Sequence, residues 1–210
     1  GEPYRVARAA KDLKLNYIVV TSVTRDDLSD EGAGHFAETV RATKTEIPQA
    51  RVEVLTPDFH ARQELIEIVS ASGPEVFNHN LETVERLQRE VRPQADYRRS
   101  LTTLEIARRL APRRKTKSGL MLGLGETEAE VMQAGRDLLS AGVSLLTLGQ
   151  YLQPAPENLE VRRYVAPEEF QLLAKRLEAM GFEKVFAGPY IRSSYHAQET
   201  FLQSKRSNNL

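Results

Sequence analysis

The feature that most constrains this chain is an alternation between short apolar runs and longer stretches of helical periodicity. The runs are YIVV (17–20), RVEVL (51–55), EVF (75–77), KSGLML (117–122), LLTL (145–148) and KVFA (184–187). YIVV is continuous rather than alternating, as expected of a strand covered on both faces. Between the runs the spacing predicts helices over 3–14, 34–46, 60–72, 83–90 and 98–110. Thr127 and Glu130 form a capping box ahead of Val131, Ala134 and Leu138, and Gly142 stops that helix. Residues 167–180 give the cleanest pattern, with Pro167 at the start, Phe170, Leu173, Ala174 and Leu177 in a stripe, and Gly181 past the end. The order is α-β-α-β-α-β-α-α-β-α-β-α-β. It implies right-handed βαβ units and a parallel sheet. A barrel or part-barrel is favoured, with an open doubly wound sheet as the alternative.

Composition narrows the function. Lys+Arg and Asp+Glu both number 29, so nothing points to a nucleic-acid or other polyanionic partner. No apolar stretch approaches the roughly 18 residues of a membrane span. There is no cysteine, which excludes disulfides, a thiol nucleophile and any thiolate metal site within these residues. The chain enters a helix almost at Gly1, so a longer parent is expected.

Each strand is followed at once by a polar cluster: TSVTRDD (21–27), TPDF (56–59), NHNLET (78–83), GLGET (123–127), GQY (149–151) and GPYIRSSYH (188–196). In a parallel α/β barrel all strand C-termini open on one face, where chemistry gathers. Each cluster has a bland reading. Asp26 or Asp27 suits a helix cap, and Asn78 and Asn80 suit turns. His79 suits a structural role, Gly123 and Gly125 permit tight turns, and Ser193–Ser194 suits a surface turn. GLGE is not GxGxxG and has no phosphate-loop lysine. Their common position at one strand edge is what points to a site.

Taken together, YIVVTSVTRDDL, VEVLTPDF, VFNHNLETV, TKSGLMLGLGE, LTLGQYLQP and GPYIRSSYHA resemble the lipoyl synthase family over essentially the whole chain. The resemblance implies a radical S-adenosylmethionine (SAM) enzyme. The implied fold is α/β, a partial (β/α)6 radical-SAM-type barrel with parallel strands whose first strand is missing. Residues 1–187 would form the part-barrel and 188–210 a C-terminal extension carrying RSSY. The implied reaction inserts two sulfur atoms at C6 and C8 of an octanoyl chain bound to a carrier-domain lysine. The implied cofactors are SAM and two 4Fe–4S clusters, whose cysteine motifs are absent here, so residues 1–210 are expected to be the C-terminal portion of a longer enzyme and inactive alone.

The resemblance also assigns residues. Ser194, the second serine of RSSY, would be the fourth ligand of an auxiliary cluster otherwise held by cysteines. A serine alkoxide is a hard, poor ligand for such a cluster, which suits one that is dismantled to donate sulfide. Arg192 and Ser193 would support that loop. Asn80 and Glu82 would bind the SAM ribose, with Asn78 nearer the substrate. Leu122 and Gly123 would meet the adenine. Thr21, Ser22, Arg25, Asp26 and Lys117 are candidates for the charged methionine end, with Gln150 and Tyr151 on the same rim. The implied partners are an octanoylated lipoyl carrier domain or H protein and an electron donor such as ferredoxin or flavodoxin. No nucleic acid or membrane partner is implied, and the chain would act as a monomer. The implied location is the bacterial cytoplasm, or an organellar matrix in a eukaryote. A biotin-synthase-like sulfur inserter also fits NHNLET. A non-catalytic part-barrel that serves as a binding module is a third reading. An aldolase-type barrel lacks a convincing Schiff-base lysine, Lys115 and Lys117 being ambiguous.

Overall fold

Strands form where the sequence supplies short apolar runs, and each run ends at its polar cluster. The computed structural model describes residues 1–194 together with 197, 198 and 202. Among these, the helices are α1 (Glu2–Asp12), α2 (Ala33–Glu46), α3 (Gln63–Ala71), α4 (Gln88–Val91), α5 (Tyr97–Leu110), α6 (Glu128–Ser140) and α7 (Pro167–Met180). The strands are β1 (Tyr17–Thr21), β2 (Arg51–Leu55), β3 (Val76–Asn78), β4 (Lys115–Leu122), β5 (Leu145–Gln150) and β6 (Lys184–Gly188). This is the α/β order expected from the sequence.

The chain divides into two units, which are described separately. One consists of Gly1–His79 and Thr102–Thr116, and the other of Asn80–Leu101 with the residues from Lys117 on. In the first unit β1, β2 and β3 pair in parallel, with Val20 opposite Val54 and Val54 opposite Phe77. Its core gathers Phe36, Val40, Val52, Val54, Phe59, Ile66, Val69, Phe77 and Ala107. In the second unit β4, β5 and β6 pair in parallel, with Gly119 opposite Thr147 and Thr147 opposite Phe186. Leu120, Leu122, Leu138, Leu145, Leu146, Leu148, Phe170 and Leu177 are buried there. The Thr127–Glu130 capping box at the start of α6 is present.

Two helix predictions are corrected. The helix expected from residue 60 begins at Gln63, because Phe59, His60 and Ala61 all take positive φ (46, 48 and 53°), with the Asp58 carboxylate accepting from His60 N. The helix expected over 83–90 is a 3-10 turn, Glu85–Leu87, followed by the four-residue α4. Glu82 is the reason: its N–H donates to Gly119 O (2.9 Å) and its O accepts from Met121 N (2.8 Å), which pins the backbone to β4 just ahead of the expected helix. No helix among the described residues is long and apolar enough to cross a membrane.

Candidate functional site

In the second unit the site is built around Asn80 and Glu82. Glu82 sits at φ 69°, a left-handed conformation that costs a non-glycine residue about 1–3 kcal/mol. The surroundings hold it there through the two backbone bonds to β4, and Leu81 N donates to Ser118 Oγ at 3.1 Å. The Asn80 amide donates from Nδ2 to Glu82 Oε1 (3.1 Å), and Ser193 Oγ donates to Asn80 Oδ1 (2.8 Å). A carboxylate only accepts, so its bond fixes which end of the amide carries hydrogen, and Ser193 meets the other end. Arg92 Nη1 braces the Asn80 carbonyl at 3.3 Å. Burial pushes the Glu82 carboxyl above the ordinary carboxylate range, opposed by the Arg92 charge and the Asn80 hydrogen bond.

The seat beside this pair is made by absent side chains. A Cβ at Gly119 would lie 2.8 Å from Thr147 Oγ1, 2.9 Å from Asn80 Oδ1 and 3.1 Å from Ser193 Oγ. At Gly149 it would overlap the Ile191 carbonyl oxygen. Strand glycine marking a close backbone approach is the sequence signal that finds this seat. Lys117 is fully buried and donates from Nζ to Ser193 O at 2.6 Å. Arg192 is exposed and donates to the Ile191 carbonyl at 2.8 Å. Ser194 is exposed, and its carbonyl accepts from Ala197 N at 3.4 Å. Tyr195 and His196 of the motif lie outside the described residues.

The remaining candidates of this unit lie at the ends of β4 and β5. Leu122 is buried, and its carbonyl accepts from Tyr151 N at 2.8 Å. Gly123 has φ 99°, and its N–H and that of Leu124 donate to the Glu126 carboxylate at 2.7 and 2.9 Å. Gln150 is buried, donates to Tyr151 O and Arg163 O, and accepts from Val165 N. Tyr151 donates its hydroxyl to Leu159 O at 2.8 Å. Gln150 and Tyr151 thus brace the segment that follows β5.

In the first unit Asn78 is fully buried at the end of β3. Its Nδ2 donates to Glu53 Oε1 (2.8 Å), and Tyr17 donates its hydroxyl to Glu53 Oε2 (2.7 Å). Asn78 Oδ1 is buried with no hydrogen-bond partner. Burial, and then the Glu53 charge, push the Tyr17 hydroxyl above its ordinary range. Thr21, Ser22 and Arg25 line a cavity of about 490 Å³ whose other walls include Val6, Ile18, Val20, Leu28 and Phe36. Ser22 bonds to the carbonyl of Val23, and Arg25 forms a two-pronged pair with Asp27 at 2.7 Å. Asp26 lies instead with Glu31 and His60, their ligand-capable atoms within 4.8 Å of one another. Glu31 is already engaged there, with His60 Nδ1 at 2.8 Å and Arg62 Nη2 at 2.9 Å.

Comparison with known proteins identifies the superfamily. The radical SAM superfamily model matches residues 1–138, so the chain belongs to the radical SAM superfamily. Among curated proteins it is similar to the "Lipoyl synthase" of Actinobacillus pleuropneumoniae serotype 5b, 53% identical over 97% of this chain and 61% of that protein. It is also similar to those of Haemophilus ducreyi (52% identical, 97% and 61%) and Cronobacter sakazakii (51% identical, 98% and 63%). The chain therefore spans about three-fifths of the length of these relatives. Methylornithine synthase PylB shares the fold at TM-score 0.63 and 13% identity, over 84% of this chain and 51% of that one. Streptococcus suis SuiB bound to S-adenosylmethionine does so at TM-score 0.65 and 10% identity, over 92% and 44%.

Proposed function

We propose that this chain carries the barrel portion of an enzyme that inserts two sulfur atoms, at C6 and C8, into an octanoyl group held on the lysine of a lipoyl carrier domain or H protein. Identity above 50% to proteins named lipoyl synthase, over nearly all of the chain, supports the reaction. The observation that carries it is the bond from Ser193 Oγ to Asn80 Oδ1, which joins the NHNLET and RSSY motifs in one cluster.

A ribose diol both donates and accepts, and the Asn80 amide and Glu82 carboxylate offer both roles side by side. The missing side chain at Gly119 lets Asn80 Oδ1, Ser193 Oγ and Thr147 Oγ1 pack closely over β4. These residues fit SAM, with Leu122 and Gly123 as apolar contacts for its adenine. When bound, SAM supplies the radical chemistry of the superfamily. The iron–sulfur clusters fit less well. Such clusters are ordinarily held by thiolates, and none of the 210 residues is a cysteine. In this reading Ser194 is the chain's own contribution to one of two clusters, a ferredoxin or flavodoxin supplies electrons, and the enzyme works as a cytoplasmic monomer.

The isolated chain, given SAM and dithionite, is expected to release no 5′-deoxyadenosine. The same residues within a polypeptide that carries the cluster cysteines are expected to convert octanoylated carrier to the lipoylated form, read by mass spectrometry, and Ser194→Ala is expected to abolish the conversion. Sulfur insertion into dethiobiotin with none into octanoylated carrier would overturn the proposal.

A further inference from the structure

Lys117 is a fully buried lysine that the reading above leaves without a task. Lysine is almost never fully buried unless its charge is met, because an unmatched ammonium is costly to desolvate. One of its acceptors here is the backbone carbonyl of Ser193, 76 residues away and 2.6 Å from Nζ. The same residue that offers this carbonyl also places its hydroxyl on Asn80 Oδ1. Ser193 is thus gripped at two points, main chain by Lys117 and side chain by Asn80.

The floor under it is shaped to match. Gly119 and Gly149 lie on the neighbouring strands β4 and β5. A side chain at either would meet the segment, Ser193 Oγ at Gly119 and the Ile191 carbonyl at Gly149. Thr147 Oγ1 completes the wall at Gly119. A surface turn needs neither a buried cation beneath it nor two glycines under its path. In the turn at 193–194 the Ser193 side chain is engaged while Ser194 stays exposed.

We propose that Lys117 and Ser193 are positioning residues. They seat the segment 188–194 on β4 and β5, so that the orientation of the Asn80 amide and the presentation of the Ser194 hydroxyl are set by one latch. This rests on reading Asn80 and Glu82 as the nucleoside-binding pair. Seating and nucleoside binding are then linked, and linkage acts equally in both directions. Loss of the latch removes the bond on Asn80 Oδ1 while the bond from Nδ2 to Glu82 stays, so the amide is held less firmly and the pair is less preorganised.

The test uses the 210-residue chain, its Lys117→Met and Ser193→Ala variants, and S-adenosylhomocysteine as an unreactive probe. Hydrogen exchange of the amides in 188–194 is expected to speed up by about tenfold or more in both variants, while exchange in β4 and β5 stays at the parent rate. Should Lys117→Met fail to fold, Ser193→Ala still decides the matter. Equilibrium dialysis is expected to show Ser193→Ala binding the probe about tenfold more weakly, at an unchanged urea midpoint, which a merely structural hydroxyl would not do. Unaltered exchange in 188–194 in Ser193→Ala would overturn the latch. Faster exchange in a chain whose parent does not bind the probe would support the latch and overturn the nucleoside reading.

Discussion

After β1, two of the candidate side chains engage close neighbours: Ser22 bonds one residue away, and Arg25 pairs with Asp27 two residues away. Around Asn80 the partners come from afar. Leu81 reaches Ser118 across 37 positions, Lys117 reaches Ser193 across 76, and Ser193 reaches Asn80 across 113. A local pair survives in a loop that moves, whereas a long-range bond exists only when the whole unit is folded. The Asn80 cluster is therefore preorganised by the fold, which is what precise placement of a ligand requires. At the start of the loop after β1 the bonds of Ser22 and Arg25 are local, and only further on, at Ser29 and Glu31, do His60 and Arg62 tie it to distant residues.

The largest effect is expected at Gly123, in the preorganised unit. A side chain there is strained at φ 99° and would overlap both the Gln150 amide and the Arg163 carbonyl. Backbone strain and overpacking together put the loss for Gly123→Ala at about 3 kcal/mol. The urea midpoint with its slope measures it. A loss under about 1 kcal/mol would show that the segment after β5 yields easily and would weaken the contrast.

The order of elements was legible because buried parallel strands read as short apolar runs between helical stripes, and Thr127–Glu130 announced its own capping box. The positions of polar groups on the strand edges were legible for the same reason. What each group bonds to was not. Lys117 reads as a charge for an anionic ligand until a carbonyl 76 residues away is seen against it. Gln150 and Tyr151 read as rim residues, yet they brace a loop whose course no periodicity encodes. Adjacent serines in RSSY look equivalent in sequence, and a turn gives them different environments. Glu53 escaped notice because a carboxylate inside a strand reads as a solvent-facing residue, while here it is buried between Tyr17 and Asn78.

That buried carboxylate gives the next effect. Tyr17→Phe removes a hydroxyl that donates to Glu53 at 2.7 Å over 36 positions. A bond to a charged acceptor is worth about 1.5–3 kcal/mol, so a loss near the lower figure is expected in urea unfolding. It would sharpen the comparison by showing that the first unit also has a long-range polar cluster. A change too small to measure would mean that Glu53 is held well enough without Tyr17.

A smaller effect depends on pH. The Arg86 guanidinium, and then the Thr127 amide, hold the Glu130 carboxyl down to about 2. An unfolded glutamate titrates near pH 4.3, so the folded state binds fewer protons between these values. The stabilisation is complete above the unfolded value and is lost as pH falls toward 2. The gap in urea midpoint between the parent and Arg86→Ala is expected to close over that window. A gap that persists at pH 2 would show that Arg86 acts through its bond to the Gly125 carbonyl rather than through charge.

The smallest effect is expected at Arg25. Its pair with Asp27 is exposed on both sides, and such pairs gain little because water screens the charges and two side chains must be ordered. Arg25→Ala should leave the urea midpoint unchanged at both low and high salt. A surface charge that only steers a ligand would still show itself in binding that weakens with salt, so stability and binding separate at this residue. A midpoint that falls as far as in Tyr17→Phe would mean that the start of the loop after β1 is tied into the fold through Arg25, and its contrast with the Asn80 cluster would be lost.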